Sequence, residues 1–127
     1  MGLFSSAKKR VGPYGLLKPD AEHVARLESR GCDITAPREI EFAVCFATQD
    51  RADAASAALR ADRVRHELVQ PSHDIPDWTI MLVARNQPLV PDFLRERVDL
   101  CRSLADAHQG DYEGWVALFT DEEKAAL

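Results

Sequence analysis

Hydrophobic and polar positions change period several times along the chain, and each change marks an element. Between residues 39 and 46 the period is two: Ile40, Phe42, Val44 and Phe46 alternate with Glu41, Ala43 and Cys45. That is a strand with one strongly apolar face. Ahead of it, Ala21, Val24 and Leu27 share one side of a short helix. Pro19 and Asp20 are placed to open that helix, with Asp20 as its cap, and Gly31 to close it. Residues 31–38 then form a loop punctuated by Gly31 and Pro37.

Beyond the first strand, Asp50 is placed to cap a helix over residues 51–62, whose inner side is Ala52, Ala55 and Leu59. Such small side chains let a helix axis come close to a sheet. Residues 64–69 predict a second strand and 71–77 a turn-rich connection. Residues 78–84 predict a third strand, apolar enough to be buried on both sides. Pro91 suits a first helical position, and Val90, Leu94, Val98, Cys101, Leu104, Ala105 and His108 recur at three- and four-residue steps. Gln109 and Gly110 end this helix, the glycine being free to take the left-handed conformation. A last strand is expected over 112–119.

The order strand, helix, strand, strand, helix, strand predicts an α+β fold of the split β-α-β (ferredoxin-like) type. Its expected form is a four-stranded antiparallel sheet with two helices on one face, plus the short N-terminal helix. The 127 residues suffice for one such domain, expected over 20–119 between a mobile basic leader (1–19) and an acidic tail (120–127). In the leader, Tyr14, Leu16 and Leu17 are the residues expected to lie against the domain. Many functions share this topology, so it does not by itself select one.

Charge narrows the choice. The net charge of −5 hides an asymmetry: residues 1–18 carry four basic residues and no acid. In residues 19–127 the other 12 basic residues meet all 21 acids, a balance of −9. A body this acidic repels phosphate backbones, so direct nucleic-acid binding is not expected. It suits docking onto a basic protein surface. No apolar run is long enough to span a membrane, and the start lacks a signal-peptide pattern, so a cytoplasmic location is expected. Cys32, Cys45 and Cys101 are odd in number and widely spaced, which argues against a disulfide framework or zinc knuckle. Cys45 and Cys101 read as small core hydrophobes.

Two stretches carry more information. GCDITAPREI, residues 31–40, leads into the first strand, and HQGDYEGW, residues 108–115, joins the long helix to the last one. Together, at this spacing, they resemble the regulator of ribonuclease E activity B (RraB) family. Its patterns there are of the types G-x-D-x-x-x-P-R-x-I and G-G-x-Y-D-G-W; Gln109 and Glu113 depart from the second. The similarity extends over about residues 28–119. It implies a non-enzymatic protein without cofactors that binds a ribonuclease E-type partner and lowers its RNA cleavage.

Residue roles follow for the two motifs. Gly31, Pro37, Gly110 and Gly114 are expected to shape the backbone. Asp33 and Arg38 form either an ion pair that braces the loop or, for Arg38, a contact to the partner. On a regular strand Tyr112 and Trp115 have opposite parity and face opposite sides. One would join the core and the other cover the open sheet face, as packing or, beside Asp111 and Glu113, as a binding anchor. The expected partner-binding set is therefore Asp33, Arg38, Asp111, Tyr112, Glu113 and Trp115.

Enzyme chemistry finds little support. His23, His66, His73 and His108 show no metal-ligand spacing, and no metal site is expected. His108 reads as a partner for last-turn carbonyls. No phosphate-binding loop or nucleophile elbow appears, although Cys45 and His66 could meet in space. The competing reading is a small-ligand or catalytic domain with a concave pocket on the open sheet face, lined by Cys45 and Trp115. A monomer or weak homodimer fits either reading, the latter through an exposed sheet edge.

Overall fold

A computed structural model describes residues 10–11 and 15–127. Most of the leader, and with it the expected mobility there and the placement of Tyr14, lies outside the described residues. The fold is mixed: a four-stranded antiparallel sheet with four helices, preceded by a two-stranded ribbon of β1 (Arg10–Val11) and β2 (Leu16–Leu17). The chain continues through α1 (Lys18–Ser29), β3 (Arg38–Phe46), α2 (Gln49–Ala61), β4 (Glu67–Val69) and β5 (Trp78–Gln87). It ends with α3 (Pro91–Ala107), β6 (Asp111–Ala117) and α4 (Asp121–Ala126). The strands lie in the order β4-β5-β3-β6, which makes β3 central and β4 and β6 the edges.

The period-two row of β3 decides which side of the sheet becomes the core. Ile40, Phe42, Val44 and Phe46 are all but inaccessible, each burial contributing about 1.5–3 kcal/mol. Ile80 and Leu82 of β5 join them, under Ala52, Ala55 and Leu59 of α2 and Leu94, Val98 and Cys101 of α3. The alanines of α2 bring that helix against β3 and β5, while α3 lies over β3 and β6. Phe93 of α3 meets Phe42 edge-on at a centroid distance of 6.1 Å.

Several local expectations change. Asp20 does not cap α1: the helix begins at Lys18 with Leu17 as its cap residue and Pro19 in its first turn. Thr48, not Asp50, caps α2, its Oγ1 accepting from the Arg51 amide at 3.3 Å. The second strand is only three residues long. Beyond α2, Arg63 turns left-handed (φ 59°) and the Val64 amide bonds back to Leu59, delaying extended structure until Glu67.

β5 runs on to Gln87 and is buried mainly on one side, with Met81 and Val83 half-buried on the other. At the end of α3 the left-handed residue is Gln109 (φ 58°), not Gly110. Gly110 serves a different need: a Cβ there would lie 2.5 Å from Phe46 Cε1 and 2.7 Å from the Cys45 carbonyl oxygen. The segment expected as an acidic tail contains α4, opened by a capping box between Thr120 and Glu123.

Candidate partner-docking surface

The motif residues divide into a buried frame and an exposed rim. Arg38 begins β3 with its side chain only 1% exposed and grips the far end of the chain. Its Nη1 donates to Glu123 Oε1 at 2.7 Å and to the Leu118 carbonyl at 3.1 Å, and its Nη2 to Glu123 Oε2 at 2.8 Å. The expected Asp33–Arg38 ion pair is thus replaced by an Arg38–Glu123 pair. The Asp33 carboxylate turns instead to the amide and hydroxyl of Thr35, at 3.0 and 2.7 Å, while the Asp33 carbonyl accepts from Arg38 Nη2. Gly31 (φ 97°) and Pro37 shape the loop that places this carbonyl. Hydrogen bonds from Arg38, aided by the Asp33 and Thr120 amides, hold the Glu123 carboxyl at about 2, well below the usual carboxylate range.

Tyr112 and Trp115 face the same side, against the parity expectation. Opposite β3, Trp115 pairs with Phe42 and Gly114 with Ala43, but the next partner, of Val44, is Tyr112. Glu113 is an extra residue in a β-bulge, and Gly114 takes φ 112°, a conformation suited to glycine. The slip of one residue turns both rings to the helix-covered side. Trp115 is 6% exposed, donates Nε1–H to Asp20 Oδ1 at 2.9 Å and stacks on His23 at 3.9 Å. Burial lowers the His23 pKa and raises that of Tyr112. The pocket expected between Cys45 and Trp115 therefore does not form, since these residues lie on opposite faces of the sheet. His66 and Cys45 are separate as well: His66 bonds Ser56 and Val64, and Cys45 contacts Thr79.

What remains exposed is the other face of the sheet, which no helix among the described residues covers. Its middle is small or apolar: Ala43 and Cys45 on β3, Met81 and Val83 on β5. Val116 on β6 and Leu118 just beyond its end continue it, 49% and 43% exposed. Cys45 thus sits on this half-exposed surface, not in the core as expected; Cys101 is fully buried, its thiol pushed up to about 12 by desolvation.

Acids border the strip. Glu39 and Glu41 lie on β3, Glu67 on β4 opposite Met81, and Asp111 opposite Cys45, with Glu113 at the bulge. Glu41 shares a hydrogen bond with Glu39 and is partly desolvated near Glu39 and Glu67, so its pKa is raised. Arg85 reaches only the outer edge of this group, 4.0 Å from Glu39. Like charges crowded around Glu41 favour the arrival of a cation.

A family model described as "Regulator of ribonuclease activity B" (RraB) matches residues 18–116. The chain belongs to the RraB family. It is accordingly a regulator of ribonuclease activity, and a ribonuclease is the kind of protein partner that the family name implies. No curated protein matches the chain. In this RraB-family chain the match begins at α1 and ends within β6, so it takes in both motif stretches and the sheet. Glu123, which holds Arg38, lies beyond it. Among the described residues, no helix is long and apolar enough to cross a membrane and no group of His, Cys, Asp or Glu could hold a metal ion.

Sequence reasoning singled out Asp111 and Glu113 on this surface but missed Glu39, Glu41 and Glu67. For Glu39 and Glu41 the signal was present in the alternate positions of the first strand, where glutamates stand opposite the phenylalanine row; Glu67 comes from another strand and joins them only through the pairing of β4 with β5.

Proposed function

We propose that this chain acts without catalysis in the cytoplasm, docking its open sheet face onto a cationic segment of a ribonuclease E-type enzyme and lowering its RNA cleavage. The observation that carries this reading is the bare sheet face with an apolar middle and a carboxylate border. An apolar strip supplies short-range burial, and the border selects arginine- or lysine-rich chains over neutral ones. Family membership supplies the class of partner. We read the strand order β4-β5-β3-β6, with α2 and α3 against one face, as the split β-α-β arrangement.

Within the motif set, Asp111 and Glu113 belong to the contact surface, with Asp33 at its periphery. Arg38, Tyr112 and Trp115 hold the frame that presents it. The test is RNA cleavage by the host's ribonuclease E-type enzyme, with and without the protein, at two salt concentrations. Dose-dependent inhibition that weakens as the Debye length falls below ~8–10 Å is expected. The double variant Glu39→Gln, Glu41→Gln should inhibit several-fold less at low salt. Full inhibition by that variant would remove the open face from the interaction.

A further inference from the structure

Away from the sheet face, the turn after α2 concentrates positive charge on an otherwise acidic body. Arg60, Arg63 and Arg65, together with Ser56, His66 and Leu68, line a groove of about 510 Å³. Its floor is a directed chain of hydrogen bonds. Arg60 Nη1 donates to Ser56 Oγ at 2.9 Å, Ser56 Oγ lies 2.6 Å from His66 Nε2, and His66 Nδ1 is 2.9 Å from the Val64 carbonyl. A carbonyl only accepts, so Nδ1–H donates to Val64, and in that tautomer Nε2 accepts a hydrogen bond from the Ser56 hydroxyl. Ser56 is buried, and its hydroxyl both donates and accepts in this chain. Arg63 and Arg65 make no ion pair among the described residues and stand exposed at the rim.

We infer that this groove binds a small phosphate-bearing anion, gripped by Arg63 and Arg65 over the floor formed by Arg60, Ser56 and His66. Guanidinium forks match two phosphate oxygens at once, which an ammonium does not. The local charges favour it. The carboxyl end of α2 contributes roughly half a negative charge, and Asp62 one more, against three guanidiniums. Glu67 is turned away: its pairing with Met81 places it on the open sheet face, opposite in parity to His66. Arg63 is held in position by its own left-handed backbone and by its amide bond to Arg60 at 3.0 Å.

The test is titration of the full chain with inorganic phosphate, adenosine 5′-monophosphate and adenosine, followed by calorimetry and by the His66 ring resonances, against sodium chloride at matched ionic strength. Saturable binding of phosphate or the monophosphate, but not of adenosine or chloride, is expected. Tighter binding of the monophosphate would identify a nucleotide as the source of the phosphate, and equal binding a free oxyanion. The double variant Arg63→Ala, Arg65→Ala should lose at least about tenfold in affinity with an unchanged melting temperature; the doubly lysine-substituted variant should fall between. No saturable binding, equal binding by the alanine variant, or an equal response to chloride would overturn the assignment. Glu39 and Glu41 lie on the other side of the sheet, so their variants should bind phosphate normally. The groove and the docking face can therefore fail separately.

Discussion

The two faces of the sheet are built from the same strands and obey opposite rules. On the covered face Ile40, Phe42, Val44 and Phe46 exclude water, and polar atoms are admitted only with partners, as Trp115 Nε1 is by Asp20. Among the described residues the exceptions are the Tyr112 hydroxyl and Arg38 Nε, each buried without one. On the open face the alternate residues of the same strand gather glutamates close enough to raise the pKa of Glu41. One face is arranged for stability, and the other keeps a repulsion that a folded monomer gains nothing from. That asymmetry is what marks the open face as a surface for something else.

Substitutions on each face should therefore separate stability from binding. The largest effect belongs to the covered face: Trp115→Ala should destabilise by about 3–5 kcal/mol, read by chemical denaturation. Where the protein remains folded it should still inhibit, because the ring is buried on the side of the sheet opposite the face proposed to dock. Loss of inhibition in fully folded Trp115→Ala would break the division.

Next is the clamp between the faces. Glu123→Gln leaves the buried Arg38 without its charge partner and should cost about 1.5–3 kcal/mol. The Glu123 carboxyl sits at about 2 in the fold, against an ordinary value near 4.5. Its contribution is thus complete above about pH 4.5 and is lost as pH falls towards 2. The gap in melting temperature between wild type and Glu123→Gln should close over that window; a constant gap would show that the charge is not what holds Arg38.

A third substitution, Gly110→Ala, drives a methyl group into Phe46 and the Cys45 carbonyl and should cost about 1–3 kcal/mol. Its thermal unfolding measures how rigidly the α3–β6 junction is seated.

The smallest change in stability has the opposite sign. A carboxyl whose pKa is raised by the fold destabilises it once ionised, that is, above the ordinary value near 4.5. Glu41→Gln should raise stability at pH 7 by a few tenths of a kcal/mol while weakening inhibition at low salt. A gain in melting temperature with undiminished inhibition would make the glutamates a mere irregularity of the surface.

How much was legible depended on how far apart in the chain the deciding atoms lie. The four inward residues of β3 announce their own face, because strand parity is local, and α3 follows from its apolar spacing in the same way. The common orientation of Tyr112 and Trp115 was not readable by parity, since the bulge at Glu113 exists only in register with Ala43 and Val44. Arg38 could be recognised as a loop brace but not matched to its partner, 85 residues away. Thr120 and Glu123 do spell a capping box, a local signal hidden by the acidity of the segment around it. The alternation that revealed the core also held the open, acid-bordered face, in the positions set aside as solvent-facing.

The Arg38 clamp also bears on where the chain tolerates insertions. One guanidinium meets the carbonyls of Asp33 and Leu118 and the carboxylate of Glu123. It thereby fixes two surface segments, residues 33–38 and 118–123, to a common length. A residue added to either would carry an acceptor out of reach, although both look like ordinary connecting loops. Among the described residues the connection at residues 70–76 is bonded only within itself, between Ser72 and Ile75, and an added residue there should cost little.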